Sequence, residues 1–315
     1  MSTTRARIAR ALALSLLSIP LAACAGATPA GHAAHARAAG FPTTVAAADG
    51  PVRIEEQPHR ILSLSASATE DLYAIGAGSQ VTAVDAYSTF PPQAPRTRLT
   101  ETTASAEAVA AYHPDLVVIA EDTNHIDAQL RRLGIPVLRE PAPANLAGAY
   151  SEIEQLGQAT GHSEQAARVA KRIAAEIAAI VRSTPRPRRA LRVYHELEPT
   201  LYSATSHTFI GQIYSLFGLQ NIADSAHGAG PYPQLSDEFI IAANPNLIVL
   251  ADTVCCKQSA ATVAARAGWR NIAAVKDGAI VPVEDSIASQ WGPRIVHFVE
   301  KIAAAVRSLQ AREHS

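Results

Sequence analysis

The chain has 315 residues, of which 48% are hydrophobic and 17% charged, with a formal net charge of −1. A balance so close to neutral argues against a nucleic acid or an anionic membrane surface as partner. The length is too great for one small core and comfortable for two domains of ordinary size.

In chain order, the N-terminus carries Arg5, Arg7 and Arg10, no early acidic residue, and an apolar run from Ala11 to Ala23. That run is shorter than the roughly 20 apolar residues a spanning helix needs, so residues 1–23 read as a secretory signal peptide. It ends in Leu21-Ala22-Ala23-Cys24, which resembles the bacterial lipobox, in which the cysteine is acylated. The expectation is an extracytoplasmic protein held to the cell membrane by lipid on Cys24, since no second stretch of spanning length follows. Residues 24–49 are mostly small or polar and read as a flexible tether, with His32 and His35 as spacer residues.

The remainder contains a repeat. Glu107-Ala-Val-Ala-Ala-Tyr-His-Pro114-Asp-Leu-Val-Val-Ile-Ala120 has a partner in Glu238-Phe-Ile-Ile-Ala-Ala-Asn-Pro245-Asn-Leu-Ile-Val-Leu-Ala251. In both, a glutamate opens a short helix, a proline follows, and a buried strand comes next. Around these units, short apolar strands at 60–64, 81–84, 135–138, 190–194 and 279–283 alternate with helices at 67–76, 127–134 and 209–217, each stopped by a glycine. The pattern predicts an α/β fold of two similar lobes, 50–160 and 185–312, each with a parallel sheet covered by helices, and a ligand cleft between them.

Between the lobes, residues 161–184 predict one long connecting helix. Val169, Ile173, Ile177, Ile180 and Val181 make a single stripe, and Arg168, Lys171, Arg172, Glu176 and Arg182 lie off it. Ser163 is the expected N-cap, and Pro185 and Pro187 end the helix. Some twenty helical residues span about 30 Å, a stiff strut.

Signal, lipobox, paired lobes and connecting helix together resemble the helical-backbone, metal-complex-binding proteins of ABC importers, a group with vitamin B12, ferric siderophore and haem binders. The most specific stretch is Ala86-Tyr87-Ser-Thr-Phe-Pro-Pro-Gln93, similar to a Tyr-Ser-Asp-Tyr-Pro-Pro-Gln segment of the vitamin B12 binders. Ser65-Ala-Ser-Ala-Thr-Glu70 and Gly292-Pro-Arg-Ile295 stand beside it. The chain departs from those binders at Glu121 and Tyr232, where they carry tryptophan.

The resemblance implies a binding protein, not an enzyme, that takes a corrinoid, ferric siderophore or haem as transported ligand, has no built-in cofactor, and delivers its ligand as a monomer to a permease dimer. It implies that Glu107 and Glu238 dock on permease arginines, one from each lobe. The alternative for each glutamate alone is a helix N-terminus favoured by the macrodipole. Tyr87, Tyr202, Tyr232 and Trp291 lie at loop positions beside strands and helices, where the family places aromatic platforms over a flat macrocycle. Arg294 is the candidate for a siderophore's oxygens, and His125, His195, His207 and His227 are the candidates for a haem ligand.

Cys255 and Cys256 follow the second repeated strand. Adjacent cysteines have Cα atoms about 3.8 Å apart, short of the usual disulfide separation. The pair reads either as a vicinal disulfide stiffening a ligand loop or as two thiols. An enzymatic alternative lacks its marks: the chain has no Gly-x-Ser-x-Gly elbow, no His-Glu-x-x-His, no phosphate loop and no Gly-x-Gly-x-x-Gly. A scaffold lipoprotein would not need matched glutamates and cleft aromatics.

Overall fold

The computed structural model describes residues 40–226 and 230–312. The signal segment, Cys24, His32, His35 and His227 lie outside them. Among the described residues, no helix is long and apolar enough to cross a membrane.

A hairpin of β1 (Thr43–Ala47) and β2 (Gly50–Ile54) precedes the first lobe. The tether expected to reach residue 49 therefore ends earlier. Phe41, Val45, Val52 and Ile54 are all buried and join the main core, and the strand alternation supplies the burial that a spacer lacks. The lobe's sheet contains β3 (Ile61–Ser63), β4 (Val81–Val84), β5 (Leu116–Ile119) and β6 (Val137–Arg139), all parallel, in the order β4-β3-β5-β6. Its helices are α1 (Ala66–Ala74), α2 (Ala106–Ala110), α3 (Ile126–Arg132) and α4 (Leu146–Thr160).

After the connecting helix α5 (Ser163–Ser183), the second lobe runs β7 (Arg192–Glu196), α6 (Phe209–Leu216), β8 (Gln220–Asn221), α7 (Asp237–Ala243) and β9 (Leu247–Leu250). It continues through α8 (Ala260–Ala264), α9 (Ala273–Lys276), β10 (Ile280–Pro282), α10 (Asp285–Ser289) and α11 (Ile295–Arg312). Its parallel sheet has the order β10-β9-β7-β8. Numbered within each lobe, both sheets read second, first, third, fourth strand, so the repeat is architectural as well as sequential. The third strands, Leu116-Val-Val-Ile119 and Leu247-Ile-Val-Leu250, are buried along their whole length, as strands covered on both faces must be.

Helix α5 buries Val169, Ile173 and Ile177, each contributing roughly 1.5–3 kcal/mol when fully removed from water. Its N-cap is His162, without a side-chain cap bond, and the expected cap Ser163 is the first helical residue. The strut is also not free-standing. Helix α4, which the periodicity reading passed over, packs along it, and a Cβ on Gly157 would lie 2.3 Å from the Ala166 side chain, so the two backbones meet closely. Helix α11 packs against α5 as well, and Arg307 donates to Thr184 Oγ1 at 2.9 Å. One hydrophobic core consequently runs from the β1–β2 hairpin through α4, α5 and α11 into the second lobe. Smaller clusters sit within each lobe.

Candidate functional site between the lobes

The carboxyl ends of parallel strands are where an α/β sheet leaves loops free to meet a ligand. Strand β3 leads to Ser65, which caps α1 by accepting from the Ala68 N–H at 3.3 Å. Strand β4 leads to Asp85, whose carboxylate accepts from the Ser88 N–H at 2.9 Å. The buried hydroxyls of Ser63, Thr69 and Ser88 are joined in a chain of 2.9 Å contacts, which pins residues 85–88 onto α1. The pinned segment holds Tyr87 outward, 67% exposed. Beyond β5, the Ala120 and Glu121 N–H groups donate to Glu101 at 2.5 and 2.8 Å.

These ends face residues 284–291 of the second lobe across two adjoining cavities. One, of about 230 Å³, is lined by Ser65, Ser67, Asp85 and Tyr87 from the first lobe and by Gln290 and Trp291 from the second. The other, of about 360 Å³, has Tyr87 and Thr89 on one side and Val254, Cys255, Asp285 and Gln290 on the other. Tyr87, Ser289 and Gln290 belong to both. Larger hollows of about 480 and 710 Å³ exist, but each lies within a single lobe. The interlobe cavities are the ones at the carboxyl ends of the strands.

Of the residues the sequence singled out, the structure brings Tyr87, Trp291 and Cys255 to this cleft. Tyr202 and Tyr232 lie on a separate ribbon, where Tyr202 bridges Gln234, and neither lines the two cavities. Arg294 is not among the residues lining either cavity. Its guanidinium donates to Glu70 at 3.0 and 2.5 Å and to Ser286 at 3.2 Å, and lies 4.3 Å from the centre of the Phe90 ring. Glu70 belongs to α1 of the other lobe, so the pair ties the lobes together. The Trp291 N–H donates to Ser67 Oγ at 3.2 Å, and a Cβ on Gly292 would come within 3.0 Å of Glu70. The Gly292-Pro-Arg294 motif thus reads in the structure as a junction between lobes.

Further buried carboxyls are Asp71 on α1, Glu140 after β6 and Glu152 on α4. Burial, reinforced by Glu152, pushes Glu140 up to about 9, and burial pushes Glu152 up to about 8 against the hydrogen bond from Trp291. Burial likewise raises Asp71, with Glu70, Glu152 and Glu140 adding to it.

Cys255 and Cys256 are joined by a disulfide. Their loop is anchored by Asp285, which accepts from the Val254 and Cys255 N–H groups at 2.9 and 2.8 Å. A network not legible in the sequence lies beneath it. Arg266 makes two 2.6 Å bonds to the buried Glu196, stacks 4.6 Å from the Trp269 ring centre and reaches Gln258 at 2.9 Å.

The described candidate histidines do not line the cleft. His195 is fully buried against Tyr214, its Nδ1 2.5 Å from the phenol, and burial pushes it down to about 3, so it is neutral. His125 is exposed beside Asp122, and His207 is exposed too. Among the described residues, no group of three or more His, Cys, Asp or Glu could hold a metal ion.

Glu107 and Glu238 occupy equivalent positions. Ser105 caps α2 and Ser236 caps α7, each accepting at 3.2 Å from the N–H three residues on. Both glutamates are fully exposed in the first helical turn, and backbone and serine hydrogen bonds hold both below the usual carboxylate range. Neither lines the cleft.

Known proteins resemble this chain throughout. An ABC transporter substrate-binding lipoprotein of Bacillus subtilis, YvrC, uncharacterized, is 29% identical over 93% of this chain and 95% of its own length. A cobalamin-binding protein of Halobacterium salinarum is 31% identical over 94% of this chain and 82% of its own. Among solved structures, the periplasmic heme-binding protein RhuT of Roseiflexus sp. RS-1 in apo form superposes with a TM-score of 0.70 at 25% identity, covering 80% of this chain and 100% of that one. The periplasmic vitamin B12 binding protein BtuF of Vibrio cholerae does so at 0.67 and 24% identity, covering 80% and 98%, and so shows the shared fold. Residues 61–285 match the family described as periplasmic binding protein. With two parallel-sheet lobes, a helical connector and a cleft at the strand ends, the chain belongs to the periplasmic binding protein family.

Proposed function

We propose that this protein is the extracytoplasmic solute-binding lipoprotein of an ABC importer, and that it captures a metal-containing complex, a corrinoid of the vitamin B12 type, and hands it to the permease. The observation that carries the reading is Tyr87, held outward on a pinned loop and lining both of the adjoining cavities between the lobes. An exposed ring there supplies a flat apolar platform, worth roughly 0.5–1.5 kcal/mol per stacked partner beyond area burial. The 31% identity to a protein named as cobalamin-binding supports the same ligand class. Ser65, Ser67 and Gln290 around the ring can orient polar substituents.

In this reading Cys24 carries the lipid, Glu107 and Glu238 meet the two halves of the permease, and the protein acts as a monomer. Ferric siderophore and haem are the alternative ligands. The structural likeness to a heme-binding protein favours haem among them, and a tyrosine such as Tyr87 could then serve as axial ligand. Calorimetric titration with cyanocobalamin, haemin and a ferric trihydroxamate ranks the three. Tight, stoichiometric binding of cyanocobalamin without chemical change is the expected result. Binding of none of them, with tight binding of a metal-free solute, would remove the ligand class. Loss of membrane attachment in Cys24→Ala with affinity retained is the expected outcome for the anchor.

A further inference from the structure

The cleft wall opposite Tyr87 is built by the loop after β9. Val254 is 55% exposed there, and Cys255 stands beside it in the same cavity. The acidic groups lining this part of the cavity are already engaged. Asp285 accepts from the Val254 and Cys255 N–H groups, and Glu284 accepts from Ser286 Oγ at 2.6 Å and lies 3.7 Å from Arg294. What remains for an incoming molecule on this side is Val254 and Cys255, with Ser289 and Gln290 at the edge.

The loop is also fixed from behind. The Asp252 carbonyl accepts from the Cys256 and Gln258 N–H groups, both at 3.3 Å, and Thr253 Oγ1 donates to the Val283 carbonyl at 2.8 Å. Gln258 is held by Arg266, itself clamped on Glu196. Closing Cys255 onto Cys256 removes the rotors of both cysteine side chains, so this part of the wall is ordered before any ligand arrives. Divalent sulfur is polarizable and favours contact with conjugated rings.

We propose that the Cys255–Cys256 disulfide is itself a ligand-contacting surface, the second lobe's counterpart of Tyr87, and that it takes the face of a broad conjugated macrocycle. The inference rests on the binding role proposed above and adds to it a specificity element made of sulfur. Two thiols in its place would regain side-chain rotors that binding must freeze again, so opening the bond should weaken binding roughly tenfold.

The test is titration of the full chain with cyanocobalamin, haemin and a ferric trihydroxamate in three forms: oxidised, reduced by a phosphine that is then removed under nitrogen, and Cys255→Ser/Cys256→Ser. The phosphine supplies two electrons and water two protons, giving two thiols and the phosphine oxide. Mass spectrometry of the peptide confirms the gain of two hydrogens, and thermal unfolding confirms that each form is folded. Roughly tenfold weaker binding of cyanocobalamin or haemin in both altered forms, with unfolding temperature little changed, is expected; preference for the trihydroxamate overturns the macrocycle assignment. Unchanged affinity in both, with the oxidised protein binding well, overturns the inference and leaves the binding role intact. Failure of the oxidised protein to bind any probe overturns both.

Discussion

Strands β5 and β9 hold the same place in the same strand order, yet the chain leaves them differently. After β5, Ala120 and Glu121 are clamped at once by the Glu101 carboxylate, and Glu121 ends in an exposed pair with Arg139 at 3.3 Å. After β9, Asp252 is buried beside the Glu196 carboxylate, burial and Glu196 together pushing it up to about 7, and the chain rises into the disulfide loop. The repeat therefore governs the scaffold up to the last strand residue. Past that point the lobes diverge, because loops at strand ends carry few packing constraints and are free to specialise. Their buried charges diverge too. The first lobe buries Glu70 and Asp71 on α1 together with Glu140 and Glu152 and borrows Arg294 from the second, whereas the second lobe satisfies Glu196 with its own Arg266.

The sharpest test of this contrast removes the two arginines separately. Each leaves a buried glutamate without its cation, at about 3–5 kcal/mol, so Arg266→Ala and Arg294→Ala should both lower the unfolding temperature strongly. Only Arg294→Ala should also loosen the lobes relative to each other, seen as lost amide-exchange protection in both α1 and the start of α11. Equal protection of those segments in the two variants would dissolve the distinction between an internal pair and an interlobe pair.

The equivalence of the helix starts is tested by transport. Truncating one member of a docked charge pair costs about 2–5 kcal/mol, so Glu107→Ala/Glu238→Ala should abolish most uptake while leaving ligand affinity near the wild-type value. The single variants should be intermediate and similar to each other. One single variant matching the double would mean that only one lobe docks, and an equal loss of ligand affinity would place the pair in ligand binding.

The carboxyl cluster of the first lobe gives a pH signature. Glu140 and Glu152 keep their protons when folded up to about 9 and about 8, whereas in the unfolded chain they ionise near 4.5. Between those values the folded state binds more protons, so the contribution to stability is full below about pH 4.5, declines as pH rises and levels off above about 9. Each group contributes at most about 1.4 kcal/mol per pH unit to that decline. Glu140→Gln should therefore flatten the fall in stability between pH 6 and 8, measured by urea unfolding across pH. An unchanged slope would show that Glu140 titrates alike in both states.

The smallest effect is expected at the helix caps. Ser105→Ala and Ser236→Ala each remove one hydrogen bond to an orphan N–H and should destabilise by about 1 kcal/mol, with the carboxylate pKa of Glu107 or Glu238 rising toward its ordinary value as carbon NMR would follow. Clearly unequal losses would show that the two repeated units have drifted apart energetically.

Local pattern in the sequence determined the two lobes, their parallel sheets, the connecting helix and the paired glutamates. Each depends on spacing that one segment displays alone: apolar runs for buried strands, a stripe for α5, serine and glutamate at a helix start. Tyr87 and Trp291 were legible because the stretches at or beside them, residues 86–93 and 292–295, resemble a known family; the structure sets Tyr87 after β4 and Trp291 between α10 and α11. The β1–β2 hairpin and α4 were hidden, since their few large apolar residues find partners only in distant segments, as Phe41 and Val45 do in the main core. Only the tertiary structure decided what Arg294 does. The sequence shows a cation near cleft residues, but the guanidinium goes to Glu70, a residue remote in the chain, because that carboxylate is already buried and ion pairing offsets its desolvation. The same holds for Arg266 and Glu196. Periodicity is a property of a segment, while charge compensation and cavity walls are properties of segments brought together by the fold.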